Sequence, residues 1–409
     1  MLKSAAVLGV LSSLVSAAAP PPSPSPKWEP ADGDRVVLLG NTLIERDAAH
    51  GWLETRLTLR RPERNVTFRN LGWSGDTVFG HARAGFGSVA DGFKHLKEHV
   101  AAAKPTVLLI AYGTNESFEG PAGLPAFVKG LETLLDAVGA GKPRVILISP
   151  LRQENHGPPL PDPAAHNRNL RLYADAVRDV AAKRGLTYLD VFDLTAGEAS
   201  SERLTDNGVH LSPAGYWKFA EAVERALGSA APAWRVEVWA DGRRATAVGA
   251  EVAGVETTAV SVSFRITDAA LPIPAARDEA GKPVGTGSGR IVAVPGLPKG
   301  RWTLTIDGAA VATAEAAEWA RGVTFSSGPD HEQAETLRQA VNEKNRRHFH
   351  RWRPQNETYL FGFRKHEQGR NAAEVPQFDP LVEAKEKEIA ALRKPSPRRY
   401  EIVRAAGGN

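Results

Sequence analysis

Four short stretches of the chain combine side chains that acyl transfer requires. Thr42, in Leu39-Gly40-Asn41-Thr42-Leu43, offers a hydroxyl nucleophile. Gly75, in Asn70-Leu71-Gly72-Trp73-Ser74-Gly75-Asp76-Thr77, offers an unshielded backbone N–H. Asn115, in Tyr112-Gly113-Thr114-Asn115-Glu116, offers an amide donor. His210, in the stretch from Leu204 to Tyr216, offers a general base. A hydroxyl, a base and two or three donors aimed at a developing oxyanion are the parts of an ester hydrolase. Each also has an ordinary reading: Gly75 as a turn, Asn115 as a helix cap, His210 as a core histidine.

These residues need elements to bring them together. Short apolar runs at Val36–Gly40, Val66–Leu71, Thr106–Tyr112, Arg144–Ser149 and Thr187–Val191 read as buried parallel strands. Amphipathic stretches near 47–60, 90–101, 123–138, 163–184 and 213–228 read as helices, the fourth opening on Asp162-Pro163 as cap and first position. The alternation predicts a doubly wound α/β sheet over 34–228, whose ligand site lies at the carboxyl ends of the strands. Three of the four stretches directly follow a strand, and the fourth precedes the last helix. From about 233 the pattern changes to alternating apolar and polar residues at Trp234–Trp239, Val260–Thr267, Arg290–Val294 and Trp302–Asp307. This predicts a β-rich domain over 233–320. Residues 330–350 read as a helix, followed by a mostly irregular arm to 409 with a charged helix near 380–392.

In their order and placement, NLGWSGDTV, YGTNES and DNGVHLSPAGY resemble the SGNH/GDSL hydrolase family over about 34–228. The resemblance implies a flavodoxin-like three-layer αβα sandwich, with the later residues adding a β-sandwich-like domain and a helical or irregular tail. It implies esterase or acylhydrolase activity without a metal or organic cofactor, Gly75 and Asn115 as oxyanion-hole donors and His210 as the base. Acetylated carbohydrate is the substrate class it suggests. Two blocks depart from the family. Its Gly-Asp-Ser is here Gly40-Asn41-Thr42, so Thr42 stands at the nucleophile position, with a methyl group that stiffens χ1 and crowds the acyl carbon. Its Asp-x-x-His is here Asn207 with His210, and the nearest carboxylate is Asp206. Asn207 is expected to orient the imidazole through its carbonyl oxygen but cannot stabilise an imidazolium as a carboxylate does. The expected function is an ester hydrolase acting through Thr42 and His210 on a small-molecule or glycan ester. The alternative is a catalytically silent glycan-binding protein.

Composition narrows the remaining classes. The 409 residues predict two to three domains. The absence of cysteine excludes thiolate nucleophiles, disulfides and cysteine-based metal sites. Residues 1–19 place Lys3 before the apolar run AAVLGVLSSLV and small residues, which reads as a signal peptide and predicts export to a periplasmic or extracellular location. A Pro-rich linker is expected over 20–33. No later run is long enough to span a bilayer. The H-x-x-E-H match at His95–His99 could hold a metal on one helix face but reads more simply as part of a solvated amphipathic helix. The whole net charge of +4 lies in 330–409, where Arg346-Arg347-His348-Phe349-His350-Arg351-Trp352-Arg353 interleaves basic and aromatic residues. The favoured reading is an arm that packs Phe349 and Trp352 on the α/β domain with its arginines solvated, not a nucleic-acid surface. Trp234 and Val236 read as core.

Overall fold

The computed structural model describes residues 29–196, 203–228, 233–277, 281–284 and 287–405. The signal-peptide reading of 1–19, and most of the linker reading, lie outside the described residues. Five parallel strands, β1 (Arg35–Gly40), β2 (Thr67–Asn70), β3 (Val107–Ala111), β4 (Arg144–Ile148) and β5 (Thr187–Leu189), pair in the order β2-β1-β3-β4-β5. That order is flavodoxin-like, with the topological switch between β1 and β3. Successive strand residues face opposite sides. Val36 and Leu38 pack with Val107 and Leu109 under α1 (Thr42–His50), α2 (Trp52–Arg60) and α6 (Pro213–Ala226). Val37 and Leu39 pack with Leu108 and Ile110 under α3 (Val89–Ala103), α4 (Gly120–Val138) and α5 (Ala164–Arg184). Sheet and helices make the expected αβα sandwich.

The single helix expected near 47–60 is two. Gly51, at φ +66°, ends α1 and starts α2. A left-handed residue there is the usual helix stop, and glycine adopts it without a Cβ penalty.

The later residues form two larger sheets, besides a two-stranded pairing of Ala276–Arg277 with Pro283–Val284. One has the order Val323–Phe325, Arg290–Ala293, Arg235–Val238, Ala245–Val248, and the other Ala309–Glu315, Arg301–Ile306, Arg398–Arg404, Ser261–Asp268, Ala250–Thr257. Their shared core includes Val236, Phe264, Trp302, Trp319 and Tyr400, all nearly inaccessible. The reading of 330–409 as helix plus irregular arm misses the strand Arg398–Arg404, which lies at the centre of the second sheet, between strands from 301–306 and 261–268. Its pairing partners are distant in sequence, so no local turn signal announces it. The long helix α8 (Pro329–Trp352, after a short α7 at Ala316–Arg321) lies across α1 and α2, burying Ala334, Leu337, Ala340 and Val341. Its Lys344 is fully buried, with Nζ 2.6 Å from Glu54 of α2 and 3.0 Å from the Phe68 carbonyl. Arg290 of the β region reaches Asp330 of α8 at 2.8 Å, and both side chains are buried. The basic arm is therefore structural, as its aromatic content suggested. Its arginines are mostly paired rather than free: Arg347 with Glu343, Arg351 with Asp379 and Arg353 with Glu45.

Candidate active site

Thr42 is the first residue of α1, capped by Asn41, whose Oδ1 accepts from the Leu43 N–H at 3.2 Å. A helix leaves its first-turn amides without intrahelical partners, and the Thr42 N–H is one of them. The hydroxyl of Thr42 accepts from the Gly75 N–H at 3.3 Å. That contact exists because the loop after β2 lies against α1. The Trp73 N–H donates to the Gly40 carbonyl at 3.0 Å, and a Cβ on Gly72 would come within 2.1 Å of the Glu45 backbone nitrogen. Only glycine fits there.

The loop after β3 is tied to the same place by Glu116, which the sequence reading did not single out. One of its buried carboxylate oxygens accepts from the Val78 N–H and the other from the Gly113 N–H, each at 2.9 Å. Burial pushes its carboxyl pKa up, against the pull of those two amides. Asn115 follows, and its Nδ2 donates to the Asp76 carbonyl at 2.7 Å. An amide nitrogen has two hydrogens, so the second stays available to a ligand. Asp76 is fully buried. It accepts from Arg83 Nε at 2.7 Å and from the Tyr112 hydroxyl at 2.9 Å, joining the two loops from below. Arg83 and Tyr112 were also unflagged, since only the folded chain brings them to Asp76.

His210 enters from the far end of the domain. Its loop wraps the carboxylate of Glu154, which accepts from the Thr205 N–H at 2.9 Å and the Thr205 hydroxyl at 2.6 Å. The Glu154 N–H donates to Gly208 O at 2.9 Å. The result is one cleft whose wall includes Thr42, Asn115, His210, Phe118, Arg152 and Val209. It opens at the β1/β3 switch, where the topology rule places a site.

The expected role of the Asn207 carbonyl is overturned. Asn207 Oδ1 accepts from the Val209 N–H at 3.1 Å and the His210 N–H at 2.9 Å. Two backbone donors fix the amide's orientation, which turns Nδ2 toward His210 Nδ1 at 3.1 Å. An amide N–H can only donate, so Nδ1 accepts and the neutral ring carries its proton on Nε2. Asp206 is not behind the ring either. It faces Arg46 at 3.8 Å, both side chains being about half exposed. Burial lowers the His210 pKa, Arg46 lowers it further, and Asp206 opposes them. Thr42 and His210 line the same cleft without a hydrogen bond between them.

The His95–His99 motif is not a solvated helix face. His95 Nδ1 bonds the Arg83 carbonyl at 3.0 Å, and His99 lies between Trp73 and Trp352, with ring centroids at 6.2 and 5.1 Å. Burial and nearby Arg83 hold the His99 pKa down to about 4. Among the described residues no three His, Cys, Asp or Glu side chains gather as a metal site would require.

Residues 39–218 match the model of the GDSL-like Lipase/Acylhydrolase family. That segment is a GDSL-type domain. The GDSL-type domain and its additions share their overall fold with BT4096, a gut microbial diltiazem-metabolizing enzyme. The two superpose with a TM-score of 0.73 at 18% identity, over 93% of this chain and 99% of that one. An acetylxylan esterase from Geobacillus stearothermophilus, Axe2, aligns at 19% identity over 50% of this chain and 98% of its own, with a TM-score of 0.40. No curated protein sequence matches the chain. BT4096 carries the counterpart of the β region and α8.

Proposed function

We propose that this chain is an exported ester hydrolase that removes acetyl or similar acyl groups from a carbohydrate-type substrate, with Thr42 as nucleophile and His210 as base. The observation that carries the reading is the convergence of Thr42, Asn115 and His210 on one cleft, with the Gly75 N–H already on the Thr42 hydroxyl. In the acylation step the Thr42 hydroxyl proton passes to His210 Nε2 and its oxygen bonds the ester carbon. The carbonyl electron pair becomes an oxyanion held by the Gly75 N–H, the free Asn115 N–H and the Thr42 N–H. The alkoxide leaves with the proton from His210. Water, deprotonated by the same imidazole, then releases the acid and Thr42.

Each cycle needs Nε2 unprotonated, and the resting tautomer has it protonated. The working tautomer turns an Nδ1–H toward the Asn207 amide, donor against donor. Turnover is therefore slow. A serine protease whose triad carboxylate becomes an amide loses about 10⁴ in kcat for the same reason. The same contact favours a second reading, a silent GDSL-type domain that binds a glycan in the cleft. Initial rates on 4-nitrophenyl acetate and acetylated xylooligosaccharides separate the two. The proposal expects hydrolysis that disappears in Thr42→Ala and in His210→Ala. Activity that persists in both variants, or no activity with retained sugar binding, overturns it. Export is supported by the sequence of residues 1–19 alone.

A further inference from the structure

Among the described residues that line the cleft, Arg152 is the one permanent charge; the others are apolar, neutral polar or His210. The loop after β4 fixes its backbone from two sides. The Arg152 N–H donates to Phe192 O at 3.1 Å, and its carbonyl accepts from the Thr195 hydroxyl at 2.7 Å. The next residue, Gln153, is clasped by Asn167 of α5 through two bonds, at 2.7 and 2.9 Å. Among the described residues the guanidinium itself has no hydrogen-bond partner. Its buried Nε has no partner among them, and the carboxylate paired with the guanidinium is Asp193, at 3.5 Å from one terminal nitrogen and itself two-thirds exposed. By contrast Arg203, on the His210 loop, bonds both the ring and the carbonyl of His156. A planar fork of five donors, on a rigid backbone, in a cleft wall with no acid among its described residues, is a receptor for a carboxylate.

We propose that Arg152 is a specificity residue that binds a carboxylate on the substrate, so the preferred ester carries an acid group close to the scissile bond, as an acylated uronic acid or hydroxy acid does. This rests on the esterase reading of the same cleft. The group it would bind is a carboxylate rather than a phosphate dianion, because Asp193 offsets part of the Arg152 charge and no second cation lines the described wall. Phe118, Leu151 and Val209 supply apolar wall for the rest of the molecule.

The test uses the full chain and two near-isosteric esters, 4-acetoxybenzoate and 4-acetoxybenzamide, which differ by one charge. The expected result is a kcat/KM ratio of about 10 or more in favour of the acid, a difference that sits in KM and shrinks with added salt. In Arg152→Gln that ratio falls toward one. In Arg152→Lys it is intermediate, since the charge stays and the fork is lost. Asp193→Asn, which removes the competing carboxylate, raises the ratio. Calorimetric binding of 4-hydroxybenzoate, the product, is measured alongside. Binding by the parent chain that is lost in Arg152→Gln supports the assignment even if neither ester turns over, which would overturn the esterase reading alone. Equal rates on the two esters together with equal binding of 4-hydroxybenzoate by the parent chain and Arg152→Gln overturn the assignment while leaving an esterase intact.

Discussion

Asn207→Asp is expected to increase activity. In the parent chain Asn207 spends Oδ1 on two backbone N–H groups and offers Nδ2 to His210 Nδ1 at 3.1 Å. An aspartate keeps both backbone bonds with one oxygen and places its second where Nδ2 was. That oxygen accepts, so the ring proton moves to Nδ1 and Nε2 is freed to take the Thr42 proton. The reverse change in a serine protease bounds the effect at about 10⁴, equivalent to about 5 kcal/mol at 1.36 kcal/mol per factor of ten. Two features reduce it here. Residue 207 is exposed, and Arg46, one of the charges that already lower the His210 pKa, faces Asp206 on the same loop. Solvent screening of that kind leaves a gain in kcat of about 10²–10³. The assay is steady-state hydrolysis of 4-nitrophenyl acetate between pH 5 and 9. In the parent chain the acid limb of kcat/KM lies below the ordinary histidine value, because burial and Arg46 favour neutral His210. The new carboxylate favours the imidazolium, so the limb moves to higher pH in Asn207→Asp. Thr42→Ala added to Asn207→Asp removes the gain. A folded Asn207→Asp protein with unchanged or lower kcat refutes the tautomer argument, as does a gain that survives loss of Thr42.

Three further outcomes follow from the same geometry. Arg353 stacks 3.7 Å over Trp73 and pairs at 2.9 Å with Glu45, whose carboxylate also accepts from the Ser74 N–H, so Arg353→Ala is expected to lower kcat more than it alters KM and to speed amide exchange at 73–75; unchanged exchange there sinks the idea that the arm holds the oxyanion loop. Asp47 is buried with an unpartnered oxygen, and burial together with Glu54 raises its pKa to about 7. Its folded-state value exceeds the unfolded one, so its contribution is full below about pH 4 and is lost as pH rises through 7. The melting temperature of Asp47→Asn should therefore gain on the parent between pH 5 and 9, and a gap that closes with rising pH contradicts this. Lys344→Ala leaves the Glu54 carboxyl unpaired inside the domain, with an expected loss of about 3–5 kcal/mol in chemical denaturation; a loss under about 1 kcal/mol would show that water reaches the pair.

The α/β half was legible in the sequence because its signals are local. Buried strands read as apolar runs, and Thr42, Gly75 and Asn115 each sit in a short block next to one. What escaped depends on contacts between distant segments. The strand Arg398–Arg404 pairs with residues about a hundred positions and more away, so only tertiary burial of Tyr400 and Ile402 makes it a strand. The interior acids and bases that hold the loops, Glu116, Asp76 and Arg83, look like ordinary surface residues until they are folded. The Asn207 amide is the sharpest case. Residue type permits its oxygen or its nitrogen to face His210, and the N–H groups of Val209 and His210 decide. His99 reads from the sequence as part of a solvated amphipathic helix, yet its ring stacks against Trp73 of the second block.

The central claim is that Thr42 is a nucleophile activated within this cleft. Incubation with a fluorophosphonate followed by peptide mass spectrometry tests it most directly. The account predicts one phosphonyl adduct on Thr42, absent from Thr42→Ala and His210→Ala and formed faster in Asn207→Asp. A fully unlabelled Thr42 in the parent chain and in Asn207→Asp, or an adduct confined to another residue, would contradict it.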